Sequence, residues 1–181
     1  MDPFDTKTEE SFLNFTSKGN IKCTKIKHNN DKSKSIPDFL CFLNNYKAIF
    51  ELKDLNESGT TLKMGDNFIG QKITIFKTVS RFINECKDKF LNPDYKNYPS
   101  ALVISNLRKF IFWNVLISQT EEALINNLKN HSEIGNVIIT GYNQESNKIL
   151  AFHIYENPHS NRTIDRNFFS NLNVKYYTLK S

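Results

Sequence analysis

The stretch SIPDFLCFLNNYKAIFELKDLN, residues 35–56, constrains the fold more than any other part of the chain. Two apolar runs flank Asn44-Asn45, a dipeptide that tolerates positive φ and suits a tight hairpin turn. Both runs are apolar on both faces, as central strands covered on two sides must be. A hairpin centred there pairs Leu43 with Tyr46, Phe42 with Lys47 and Leu40 with Ile49. Continuing that register sets Asp38 opposite Glu51, and strand alternation puts Lys53 on the face of Glu51. Two carboxylates and an ammonium therefore meet on one patch of an otherwise apolar ribbon. Cross-strand neighbours have Cβ atoms about 4.5–5.5 Å apart, and like charges placed there are destabilising. Lys53 supplies one compensating charge. A hard divalent cation would supply the rest, since Mg²⁺ commonly takes one or two carboxylates and keeps waters and phosphate oxygens. The plainer alternative makes Asp38 and Glu51 exposed strand-end acids paired with lysines, and Lys53 a snorkelling edge residue.

The flanking sequence predicts an α/β chain. Residues 6–18 read as a short amphipathic helix, capped by Thr6 or Thr8 and stopped by Gly19. A strand is expected around Ile21–Lys27. Apolar residues at Ile69, Ile73, Phe76, Val79, Ile83 and Cys86 give helical spacing over 68–86. SALVISN (100–106) and FIFWNVL (110–116) read as two short strands, and Ser118 with Glu121 as a capping box for the helix SQTEEALINNLKN. NVIITGY and KILAFHIY make another strand pair, followed by a short helix in TIDRNFFSNL and a last strand in VKYYTL. With 181 residues, 39% hydrophobic and 15 of them Phe, there is apolar volume for one core. Charged residues at 24% exclude wholesale disorder. The expectation is one domain over 1–181, a mixed β-sheet flanked by helices.

Lys+Arg 24 against Asp+Glu 19 gives a formal charge of +5, which favours polyanionic partners weakly. Six lysines fall between Lys18 and Lys34 against a single Asp31, either a phosphate-binding patch or a lysine-guarded sheet edge. Cys23, Cys41 and Cys86 read as reduced residues of a cytoplasmic protein rather than a disulfide frame. No CxxC or HxxxH pair suggests a structural zinc site. The acidic N-terminus, MDPFDTKTEE, does not read as a secretory signal, and no run approaches the ~20 apolar residues of a membrane span. His28, His131, His153 and His159 lack catalytic spacing, and Trp113, Tyr176 and Tyr177 read as packing residues.

Pro37-Asp38, twelve intervening residues and then Glu51-Leu52-Lys53 resemble the PD-(D/E)XK nuclease superfamily, whose fold is restriction-endonuclease-like. The two halves of the motif fall on adjacent strands of one hairpin in facing register. An acidic helix precedes them and an amphipathic helix follows. The family often carries a glutamine early in that second helix, and Gln71 stands there, although the tyrosine that sometimes follows four residues later is Ile75 here. ALVISNLRKFIFWNV looks like the strand pair that many restriction-type members place next. The similarity covers about residues 9–116, leaving 117–181 as a C-terminal extension of the same domain.

The resemblance implies Mg²⁺-dependent hydrolysis of a phosphodiester bond, with Mn²⁺ able to substitute. Asp38 and Glu51 would hold one or two metals, a carbonyl from Leu52 could complete coordination, and Glu9 would join from the first helix, with Glu10 as the alternative. Lys53 would orient the attacking water or offset charge on the phosphorane, an electrostatic role suited to a protonated ammonium. Gln71 would steady the site or touch the scissile strand. Lys25, Lys27, Lys32, Lys34 and Arg108, with Lys109, Arg162 and Arg166, would contact phosphates. With no helicase or methyltransferase module, the expected protein is a stand-alone type II restriction endonuclease acting on DNA, which leaves room for a homodimer on a palindromic duplex. The alternatives are a structure-specific nuclease akin to Holliday-junction resolvases, and a catalytically idle nucleic-acid-binding module. RNA stays open as a substrate.

Overall fold

Asn44 adopts φ 53°, the left-handed conformation that the Asn-Asn turn anticipates. Around it β2 (Phe39–Leu43) and β3 (Tyr46–Asp54) pair antiparallel, with Leu43 opposite Tyr46, Phe42 opposite Lys47 and Leu40 opposite Ile49. The structure is a computed structural model that describes residues 3–27, 35–55, 68–105, 113–143 and 148–179. Three α-helices and seven strands lie within these residues. The helices are α1 (Pro3–Lys18), α2 (Phe68–Phe90) and α3 (Trp113–Asn127). The remaining strands are β1 (Lys22–Lys25), β4 (Ser100–Ser105), β5 (Asn136–Asn143), β6 (Lys148–Glu156) and β7 (Val174–Tyr177). They form one α/β sheet in the order β1-β2-β3-β4-β5-β6-β7. It is mixed: β3-β4, β4-β5 and β6-β7 are parallel, and the other neighbours antiparallel. Each of the first two parallel steps is spanned by a helix, because parallel neighbours need a long crossover.

Strand alternation divides the core into two layers. Ile49, Leu102, Ile104, Val137, Ile139 and Tyr155 face α2 and α3. Phe39, Cys41, Ala48, Phe50, Leu52, Val103, Phe152 and Ile154 face α1 and the 3₁₀ turn Arg166–Phe169. The ring of Phe12 on α1 lies 5.5 Å from both Phe39 and Phe50, which docks the helix by its apolar stripe. Gly19 and Asn20 (φ 61°) end α1 where the sequence places its stop. Thr8 is not a cap; it lies inside the helix, with Oγ1 donating to Asp54 Oδ2 at 2.8 Å.

Three expectations are corrected. Residues 113–116 of FIFWNVL are the start of α3, not a strand, while 110–112 lie outside the described residues. β-branched and aromatic residues there favour a strand locally, but the run continues into a helix that packs on α2, and tertiary packing overrides propensity. Ser118 is consequently interior to α3 and forms no capping box with Glu121. Cys23 and Cys41 stand directly opposite in the β1-β2 ladder and are joined as a disulfide, whereas Cys86 is a buried free thiol. Their separation of 18 residues hides a partnership that only the strand register creates.

Arg162 has a structural occupation. Its guanidinium donates to the carbonyls of Phe90, Tyr95 and Tyr98 at 2.6–3.2 Å, tying the end of α2 to the connection into β4. Next to it Gly135 approaches so closely that an added Cβ would sit 2.0 Å from the Arg162 carbonyl oxygen. Arg162→Ala should therefore lower unfolding free energy by about 2–3 kcal/mol in urea melts, by stranding carbonyls that had a charged donor. A variant as stable as the parent would refute this role.

Candidate functional site

β3 runs past the end of β2 into the space between α1 and α2, and the acidic pair sits at that step. Asp38 immediately precedes β2: its N–H donates to Phe50 O at 3.1 Å and its carbonyl accepts from Ile26 N at 2.8 Å. Its Oδ2 accepts from the backbone N–H of Leu52 at 2.8 Å, which fixes the carboxylate against the adjoining strand. Glu51 lies on the α2 face of β3 and is only 1% exposed. Lys53, two residues on, shares that face, with Nζ 3.6 Å from Glu51 Oε1 and 3.1 Å from Glu85 Oε2. Thr8, Glu9, Asp38, Glu51, Leu52, Lys53 and Lys89 line a cleft of about 210 Å³.

Lys89, which the PD-(D/E)XK pattern does not include, bridges the pair: its Nζ is 2.5 Å from Glu51 Oε1 and 3.7 Å from Asp38 Oδ1. The signal for it was present. The helical apolar spacing that reaches Cys86 continues to Phe90, so α2 extends four residues beyond the expected end and carries Lys89 one turn past Glu85. Both carboxylates are thus directed at one ammonium rather than away from each other.

Burial pushes the Glu51 carboxyl up to about 8, with the Asp38 charge adding to the rise and Lys89 and Lys53 opposing it. Burial pulls the Lys53 and Lys89 ammoniums down, but the Glu51 carboxylate and its acidic neighbours outweigh it, and both are raised overall. Burial likewise raises the Cys86 thiol, which keeps it neutral beside the site. Because the folded-state value of Glu51 lies above its unfolded one, its stabilising contribution is present at acid pH and is lost as pH rises through about 8. With divalent ions chelated, Glu51→Gln should be progressively more stable than the parent from pH 5 to 8, with the gap levelling above that. Parallel melting profiles would refute this.

Glu9 faces the cleft, whereas Glu10 is exposed; both Glu9 oxygens are 2.7 Å from Lys25 Nζ. Gln71 lies in the first turn of α2, and its side chain lies outside the described residues. Lys27 is exposed, while Lys32, Lys34, Arg108 and Lys109 lie outside the described residues. Arg166 pairs with Glu156 through two contacts of 2.8 Å and covers the Tyr176 ring. No described histidine lines the cleft. His131 is held by Glu133 and Asn84, and His153 by Tyr177, while His28 lies outside the described residues. No described helix is long and apolar enough to cross a membrane.

The donors suit a hard dication. Glu51 Oε2 is buried and has no hydrogen-bond partner among the described residues, although Oε1 is fully engaged. An unpaired buried carboxylate oxygen beside a second carboxylate is costly unless a cation is bound there. Among the described residues no group of three or more His, Cys, Asp or Glu is assembled around one point. An ion here would rest on two carboxylates, the number Mg²⁺ commonly takes. No family model, curated protein or solved structure matches the chain.

Proposed function

We propose that the protein is a Mg²⁺-dependent endodeoxyribonuclease with a restriction-endonuclease-like core, in biological terms a type II restriction enzyme. The observation that carries this reading is the convergence of Asp38, Glu51 and Lys53 in one cleft, with a buried Glu51 oxygen left unpaired. An acidic helix before the hairpin and an amphipathic helix after it stand in the order that the PD-(D/E)XK resemblance expects.

Asp38 and Glu51 would hold the ion, with the Leu52 backbone between them. An ion held by these residues would supply Lewis-acid activation of a phosphoryl oxygen and of a water. Lys53, anchored by Glu85, presents a fixed positive charge toward the reacting phosphate and offsets the charge that builds as the bond breaks. The two strands hold Asp38 and Glu51 at a separation set by backbone hydrogen bonds, so the site is positioned before substrate arrives. Lys25, paired with the cleft residue Glu9, and the exposed Lys27 would meet neighbouring phosphates, which position a duplex without reading it. Reading would fall to amides, and Asn44, Asn45, Asn167 and Asn171 line one depression of about 720 Å³ at the turn end of the hairpin.

The test is incubation of purified protein with supercoiled plasmid, branched DNA and RNA, with and without Mg²⁺. Discrete plasmid fragments that need Mg²⁺ are the expected result. Cutting confined to branch points would replace restriction by junction resolution. Binding without cleavage of any substrate would overturn the enzymatic reading in favour of an idle binding module.

A further inference from the structure

We infer that Lys89 is a built-in counter-cation: its ammonium holds Asp38 and Glu51 together in the metal-free protein, and a divalent ion binds by displacing it. The inference rests on the metal-site reading above and adds a positioning residue from α2.

Of the two ammoniums in the cleft, only Lys89 contacts both acids, at 2.5 Å from Glu51 and 3.7 Å from Asp38. That is the place between two carboxylates where a dication would gain most. Lys53 is differently placed, with a carboxylate of its own, Glu85, outside the pair. Charge balance then separates their fates. With Glu51 ionised, as metal binding requires, Asp38, Glu51 and Glu85 balance Lys53, Lys89 and the Arg81 that pairs with Glu85. A bound dication would add uncompensated positive charge in a poorly solvated cleft, where such charge is expensive. Releasing one ammonium to solvent lowers that excess. Lys89 is the one that leaves, since the acids it pairs with are the two the ion would take, whereas Lys53 keeps Glu85. The helix beneath it stays fixed, because Phe82, Ile83, Cys86 and Phe90 are buried in the sheet-facing core. In the last turn of α2 the freed cation still sits in the favourable field of the helix C-terminus. It would then stand at the cleft mouth, where a phosphodiester supplies the next anion.

The experiment titrates Mn²⁺ alone into the full chain, following free Mn²⁺ by electron paramagnetic resonance, for wild type, Lys89→Met, Lys89→Arg and the Asp38→Asn/Glu51→Gln double variant. Melting temperatures are recorded with chelator and with Mn²⁺. Lys89→Met should bind Mn²⁺ about 10- to 100-fold more tightly than wild type, the scale on which groups contacting metal ligands tune affinity. Its melting temperature should fall in chelator and recover with Mn²⁺. Lys89→Arg, which keeps the bridging charge, should stay near wild type. Unchanged or weaker binding by Lys89→Met overturns the inference while leaving the metal site standing. Wild type and Lys89→Met binding no better than the double variant would remove the metal site itself, and the inference with it. One readout needs no variant: the Lys89 ε-carbon resonance of wild type should move toward the exposed-lysine position on adding Mg²⁺. A static resonance overturns the inference.

Discussion

Asp38→Asn and Lys53→Ala should each reduce the proposed Mg²⁺-dependent hydrolysis by roughly a thousandfold, because charge stabilisation of several kcal/mol is removed and each 1.4 kcal/mol is a decade in rate. The fold should survive both changes. An asparagine oxygen at 38 can still accept the Leu52 N–H that the carboxylate accepts now. Removal of the Lys53 ammonium leaves Glu51 paired with Lys89 and Glu85 close to Arg81. The measurement is a plasmid-cleavage time course beside thermal melts of the same preparations. Full activity in either variant would dispose of the site, and equal loss of activity and of folded protein would make the effect structural.

Phe50→Ala should cost about 3–5 kcal/mol of unfolding free energy, the range for truncating a large buried aromatic. Phe50 is fully buried, with ring centroids 5.5 Å from Phe12, 6.1 Å from Phe168 and 6.5 Å from Phe169. It joins β3 to α1 and to the C-terminal 3₁₀ turn at once, so the cavity would loosen three elements that cannot collapse together. Urea unfolding measures the loss. A change under about 1 kcal/mol would mean the aromatic layer repacks, contrary to the close packing expected of interiors. Because Phe50 points away from the cleft, any residual folded protein should keep its neighbour Glu51 in place.

The hairpin was the most legible part of the fold, and for a physical reason. A two-residue turn fixes register, and register fixes which side chains face each other, so Asn44-Asn45 led directly to the meeting of Asp38 and Glu51. Strands β4 to β7 were legible as short apolar runs between polar breaks. The region after β4 misled because Trp113 and Val115 have strand-like character locally, while the helix they begin is stabilised by α2, a contact no local window contains. Lys89 escaped notice because its role depends on a packing angle between α2 and β3. Only the continued spacing to Phe90 hinted that the helix ran far enough. The Cys23–Cys41 bond was hidden in the same way, being a property of the β1-β2 pairing rather than of the spacing.

Strand order that follows chain order has a bearing on how the molecule can be altered. Every residue that lines the candidate cleft comes from Thr8 to Lys89, and β5, β6 and β7 are added one after another along the opposite margin of the sheet. The lining of the candidate cleft is thus confined to the first half of the chain, while the C-terminal part braces it from outside, through Arg162 on the Phe90 carbonyl and through Phe168 and Phe169 against Phe50. Grafts, tags or accessory segments attached beyond β7 would join the far border, four places along the sheet from β3, which carries Glu51.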